Sequence, residues 1–496
     1  MRAMIRVLPV ALGVVASSVG CAQLAGIDET SQSNSFAVTR MSIGNIVMTA
    51  PLDLTGLQAT YLVPAATAGS FNAVAADQVA SLPGTWAKKL PDPAPIEVTL
   101  PDIPKPIPRV FAFPDRALSV LFAPLEHPNP SPAPDTAMLT VTAPLDIPTV
   151  AGDSFSVYTV GSWTSHPLVT GTAGLAQIGP ITYAFNTSSN LSGRPQFDRL
   201  TMQDALFVLR YSGAALTGVA EAMPFDQSGA DMVMTPAMVA VKQDQMLAVK
   251  VSPPTFTMRY SAVRPAVAGL AMNWSLVAAP GYKVASNVGP ALQGGGLTAV
   301  DTGVTVNYGN PFAARGWNTI FTLATSESRA FTPMGTTLPV TLSAGMNQFL
   351  EPSLAAPGFD LTLPAGLPEL IAMDGKPLST DGQMIASPTK FVEVTFLPDN
   401  ANATLFSLQL FDLLPNAAMT ALEYHPVFAA ASNKTTSTGE AIFEVPPEIF
   451  QVGHSYTIRA LSTAGGYPGL ASGDLTTREL PLAQAYLDSG VFTVTP

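Results

Sequence analysis

Cysteine is almost missing from this chain: Cys21 stands alone among 496 residues. No disulfide can form within the chain, so its cores are held by packing. Charge is sparse too, with 12% of residues charged against 47% hydrophobic and a net charge of −12. The 23 basic residues form no cluster, which excludes nucleic acid as a partner class. There are only four histidines, His127, His166, His425 and His454. No two stand at a metal-pair spacing, so neither a metal site nor a cofactor is read. A G-x-S-x-G elbow is absent, and so is an Asp-rich calcium loop. Ser387 and Lys390 formally fit S-x-x-K, but Pro388 and the strand-like run after it deny the serine a helix start. Long helical periodicity is missing as well. Beyond the first residues, the longest apolar run, Pro265 to Pro280, contains Asn273, Trp274 and Ser275 and falls short of a membrane span.

What remains is abundant proline and short alternating runs. The 46 prolines exclude long helices and fit short strands with rigid turns. Strand candidates include Ile96 to Leu100, Ala205 to Tyr211, Thr255 to Tyr260, Thr319 to Ala324, Leu405 to Leu413 and Ser455 to Ser462. Asp374-Gly375 and Asp381-Gly382 read as turns. The pattern predicts an all-β chain of two or three antiparallel β-sandwich domains. Its divisions are a signal peptide over residues 1–20, a tether over 21–35, an N-terminal β domain over 36–135, a central sandwich region over 136–356 and a C-terminal domain over 357–496. The proline-dense stretch 91–109 reads as a stiff connection between sheets rather than a docking segment. The run from Thr49 to Leu54 recurs from Thr142 to Ile147 with one change, a faint sign of duplication.

The first residues have the layout of a secretory signal: Arg2 and Arg6, an apolar run from Val7 to Val19, then small residues. Ser18, Val19 and Gly20 before Cys21 resemble the lipobox of bacterial lipoproteins. The resemblance implies cleavage before Cys21 by signal peptidase II and acylation of its thiol. It departs from the family pattern at Ser18, where Leu is usual. Ala22, rather than Asp, implies the outer membrane. The alternative is an ordinary secretory signal cleaved nearby, with Cys21 lost or free.

Near the other end, Gly453, Tyr456, Ile458 and Ala460 are placed as in fibronectin type III and related immunoglobulin-like domains. A glycine permits the tight entry, and three residues on a tyrosine packs inward while its hydroxyl bonds a nearby backbone group. Residues 357–496 are similar to that family, though all four tryptophans lie earlier in the chain.

No catalytic residues are assigned. Glu221, Asp226 and Asp231 cluster loosely in sequence and read as a solvated loop. Trp163, Trp274 and Trp317 are the candidate ligand platform, because indole rings stack on sugars, although a Trp among apolar neighbours is more often core. The expectation is a non-enzymatic, lipid-anchored cell-envelope protein serving as a surface scaffold, adhesion or interaction module. It would partner the membrane through its anchor, and envelope proteins or polysaccharide through its body. The alternatives are a carbohydrate-binding accessory lipoprotein and an envelope hydrolase with an unrecognised site.

Overall fold

The structure is a computed structural model. It describes residues 33–43, 47–52, 58–67, 70–100, 106–122, 138–159, 164–168, 172–184, 206–222, 231–251, 253–263, 270–281, 289–297, 302–355, 366–378, 381–398 and 402–496. Cys21, His127 and Trp163 lie outside them.

Thirty-four strands and one α-helix lie among the described residues. The chain is all-β, built of several antiparallel-rich sheets packed as sandwiches. The largest sheet has fourteen strands. Its main path runs Ala291–Gly296, Ala271–Ala279, Asn318–Phe331, Val340–Leu350, Leu482–Asp488, Ser455–Gly465, Leu405–Pro415, Leu422–Ser432, Ile107–Ala112, Ile96–Leu100, Ala59–Pro64 and Phe71–Ala75.

That path crosses both expected internal boundaries. Val340–Leu350 pairs antiparallel with Leu482–Asp488 across residue 356. Ile107–Ala112 pairs in parallel with Leu422–Ser432, across 135 and 356 together. The three sequence segments therefore share one sheet instead of each closing a separate one. Pro108, expected in a stiff connection, sits inside a ladder strand opposite Thr99. The two repeated runs occupy different settings. Among the described residues Val47–Pro51 pairs on one side, while Met138–Pro144 lies between two strands.

One strand expectation is overturned. Thr255 to Tyr260 belongs to an α-helix, Pro253–Val263. Prolines are tolerated in a first helical turn, where the missing N–H costs no intrahelical bond. Phe256 and Tyr260, four apart, are fully buried on one face, while Thr255, Thr257 and Met258 are exposed. The Tyr260 hydroxyl donates to the Thr325 carbonyl at 2.8 Å, pinning the helix to the large sheet.

One face of the large sheet carries the main core. Leu408, Leu410, Ile458, Ala460, Ala485 and Met346 alternate inward from neighbouring strands. Opposite them lies a four-stranded sheet that contributes Ile371, Val392, Val394, Phe396, Phe443 and Val445. Phe396 stacks on Phe443 at 5.8 Å and meets Phe406 edge-on at 6.1 Å. Each such fully buried ring stabilises the fold by roughly 2–3 kcal/mol.

Among the described residues, two clusters cover the ends of the other face. A six-stranded sheet brings Phe36, Val38, Trp86 and Val120 onto Tyr61, Ile96, Val98 and Leu405. At the opposite end Ala279, Ile320, Phe349 and Leu482 form a small cluster beside Tyr467 and Leu480. Between these two clusters Asn273, Ser326 and Gln409 are exposed and Asn347, Gln484 and Tyr486 are half-buried.

Candidate ligand-binding face

Strand alternation sends every second residue of the central strands onto the open face, and the ladder registers align these residues in rows across the sheet. One row reads Gln484, Asn347, Ala324, Asn273 and Gly296, each directly opposite the next. The next reads Ala431, Ser407, Leu461, Tyr486, Gly345, Ser326 and Ala271. The third reads Arg109, Ala429, Gln409, Arg459 and Asp488. Asn273, Ser326, Gln409 and Ala271 are exposed; Gln484, Asn347, Ser407, Leu461, Tyr486 and Arg459 are half-buried. Small residues dominate between them, so the floor is low and the amides stand above it.

Tyr486 lies against its partner Gly345. A Cβ built on that glycine would meet the ring's Cε1 at 2.4 Å and its Cζ at 2.6 Å. Only glycine leaves room for the ring against the sheet. The Arg459 guanidinium carbon is 4.8 Å from the centroid of the Tyr486 ring, 5.4 Å from that of Phe411 and 5.5 Å from that of Tyr424. The guanidinium thus sits over the Tyr486 ring in cation–π contact.

Asp488 holds the guanidinium in place. Its side chain is fully buried beneath Arg459. Oδ1 accepts from Arg459 Nε at 2.7 Å, and Oδ2 accepts from Arg459 Nη2 at 3.1 Å. Oδ2 also accepts from the Tyr424 hydroxyl at 2.9 Å and the Ser343 N–H at 2.7 Å. This charge-assisted fork raises the Arg459 pKa above its ordinary value, against the opposing effect of burial. Nη1 makes no hydrogen bond with the described residues. The pair's charges cancel, so this part of the face is polar and close to neutral.

Where the rows approach the six-stranded sheet, a cavity of about 110 Å³ opens between Arg109, Phe111, Ser407, Gln409, Ala429 and Ala431. A larger cavity, about 200 Å³, lies elsewhere, beside the buried pair of Asp153 and Arg210. Arg210 donates there from Nε to Asp153 at 3.0 Å, from Nη1 to the Ile147 carbonyl at 2.7 Å and from Nη2 to the Pro148 carbonyl at 3.0 Å. All three of its nitrogens are engaged in clamping residues 147–153, which makes this pair a staple of the fold.

The expected site residues fall elsewhere. Trp274 and Trp317 are 7% and 2% exposed, so neither presents a ring to a sugar. Trp274 packs over Gly295, and Trp317 stacks on Phe312 at 5.3 Å. Both indoles fill the core, which corrects the expectation that they form a platform. Glu221 pairs with Arg315, and Asp231 is exposed. Ser387 and Lys390 lie between the strands Gln383–Ala386 and Val392–Pro398, outside any helix. His454 Nδ1 lies 2.8 Å from Asp412, whose cross-strand partner is His425. Among the described residues no group of three or more His, Cys, Asp or Glu side chains is placed to hold a metal. Tyr486 carried no signal in sequence, because the glycine it rests on belongs to a distant strand.

The sequence matches no protein-family model and no curated protein. Among solved structures it is similar to "Escherichia coli alpha-2-macroglobulin activated by porcine elastase", at 10% identity and a TM-score of 0.15, over 94% of this chain and 44% of that one. The chain thus spans less than half the length of that protein, and nothing of its activity is carried over.

Proposed function

We propose that this chain is exported, anchored in the outer membrane through an acylated Cys21, and serves the cell envelope as a non-enzymatic interaction module. The observation that carries the reading is the open middle of the large sheet. A face of low relief, with amides, hydroxyls and one fixed guanidinium, suits a partner laid across it better than a small molecule enclosed in a pocket. The strand order near the end of the chain supports the fibronectin type III resemblance. Pro368–Met373, Val392–Pro398 and Ala441–Val445 form one sheet; Leu482–Asp488, Ser455–Gly465, Leu405–Pro415 and Leu422–Ser432 lie in sequence across the other.

Two measurements test this. Mass spectrometry of the mature N-terminus is expected to find acylated Cys21, and Cys21→Ser is expected to release the protein from the membrane. An unmodified start beyond Cys21 removes the anchor. Acylation would also leave no other thiol in the chain, so Ser326→Cys places a single reporter on the open face. Its maleimide labelling should be slower on intact cell envelopes than on purified protein. Equal rates would mean that the face has no partner.

A further inference from the structure

We propose that the cavity of about 200 Å³ beside Asp153 and Arg210 is a binding site for a small free alkylammonium ion, independent of the face of the large sheet. Its lining comes from one sheet and from the segment that leads into it. Asp153–Thr159, Leu206–Ser212, Ala215–Ala222 and Met238–Ala240 pair in that order. Arg210, Gly218 and Ala240 stand directly opposite one another across three of these strands. Gly218 leaves the space in that row: a Cβ there would meet the Met238 sulfur at 2.7 Å and the Arg210 Cβ at 3.3 Å. Asp146, Ile147 and Val150, from the segment before the first strand, complete the wall.

The two oxygens of the Asp153 carboxylate, itself fully buried, are used unequally. Oδ2 accepts from the Val150 N–H at 2.9 Å and from Arg210 Nε at 3.0 Å. Oδ1 is buried and accepts no hydrogen bond within the chain. A buried carboxylate oxygen without a donor is costly. Arg210 is already committed to Oδ2 and to the Ile147 and Pro148 carbonyls, so the missing donor comes from outside the chain. Charge selects a cation. The lining sets two carboxylates, Asp146 and Asp153, against one guanidinium, with no lysine or histidine among the described residues. The remaining wall asks for an apolar body. Ile147 and Val150 are 56% and 51% exposed, and the buried Met238 adds an unbranched thioether that adapts to apolar shapes. Water donates to Oδ1 as well but gains nothing from these side chains. The volume holds about six water-sized groups, below the roughly 300 Å³ at which drug-sized ligands begin. An ammonium head on a short hydrocarbon chain matches all three demands.

The test is isothermal titration calorimetry of the mature protein in matched non-ionic detergent at pH 7, where an alkylamine is protonated as a lysine is. The probes are 3-methylbutylamine, 3-methyl-1-butanol and 3-methylbutanoate, which share a branched body and differ in their polar end. The amine is expected to bind with a dissociation constant on the order of 1 mM, within the bound for so few heavy atoms. The alcohol, lacking the charge-assisted bond, should bind about tenfold more weakly, and 3-methylbutanoate not at all. Nα-acetyl-lysine methylamide carries the same head on a peptide backbone and should bind more weakly than the amine; tighter binding would overturn the free amine in favour of a partner's lysine. Ala240→Phe fills the cavity, leaves the Asp153–Arg210 pair intact and should abolish binding. Asp146→Asn should weaken it about threefold, the scale of one exposed charge. Met384→Ser, exposed and remote, should change nothing. Thermal unfolding of each variant separates lost binding from lost folding, and Ala240→Phe keeps the test decisive where Asp153→Asn fails to fold. No heat from the amine at concentrations well above that constant, equal binding of amine and acid, or binding indifferent to a folded Ala240→Phe each overturns the proposal and leaves water as the partner of Oδ1.

Discussion

The phenol ring of Tyr486 rests on Gly345, its directly opposed partner on the next strand, with ring atoms where a Cβ would stand. Adding that Cβ forces the ring to swing off the sheet. Gly345→Ala is therefore expected to destabilise the protein by about 1–2 kcal/mol, the usual scale of overpacking. With Tyr486→Ala in the background, the same substitution should cost almost nothing. A double-mutant cycle in urea measures the coupling, and strictly additive effects would contradict the stacked geometry.

Asp488 gathers Arg459, Tyr424 and the Ser343 N–H around one fully buried carboxylate. Asp488→Ala leaves these donors without their acceptor beneath a half-buried guanidinium. The expected loss is roughly 2–4 kcal/mol, toward the lower end because Arg459 still reaches solvent. Arg459→Met should cost less than Asp488→Ala, since its aliphatic chain keeps packing against Phe411 and Tyr486. Urea midpoints of the two variants decide the order. A reversed order would mean that the carboxylate is not the hub.

The cross-strand pair of Glu393 and Glu444 sets a pH dependence. Burial, then the charges of Glu393 and Asp374, raise the Glu444 carboxyl from its ordinary 4.5 to about 7, with Lys390 opposing. Between those values the folded chain holds a proton that the unfolded chain has released. This contribution to stability is therefore full below pH 4.5 and lost as pH rises to about 7. Glu444→Gln cannot ionise and should abolish the decline from this site. The melting temperature of the parent relative to the variant should fall between pH 5 and pH 7 and then level off. A constant difference across that range would place the titration elsewhere.

Class was legible in this sequence and pairing was not. Proline spacing and alternation point to strands because both act within a few residues. Parallel pairing of Ile107–Ala112 with Leu422–Ser432, or the Ser343 N–H donating to Asp488 across 145 residues, leaves no local trace. The helix at Pro253–Val263 was readable in principle, from Phe256 and Tyr260 four apart, but short apolar runs are ambiguous between periods. The tryptophans drew attention by residue type, yet a large ring gains most from burial, and Trp274 and Trp317 are core. Tyr486, on the other face, keeps its place through a glycine from another strand.

Tyr456 offers a local geometry that both sequence and structure contain. Its hydroxyl accepts from the Gln451 N–H at 2.8 Å and donates to the Ile449 carbonyl at 3.3 Å, while Gly453 turns the chain at φ +86°. The ring is buried against Phe450 and Phe492, at 5.8 and 5.9 Å. Tyr456→Phe keeps that packing and removes only the hydroxyl, so the Gln451 N–H loses its partner at a sheet corner. The expected cost is about 1–1.5 kcal/mol. Hydrogen exchange sharpens the test, because protection should fall at the Gln451 amide and stay unchanged at Ile458, within the strand. If Tyr456→Phe unfolds at the parent's urea midpoint and Gln451 exchanges as before, the corner bond contributes nothing and packing alone holds the turn.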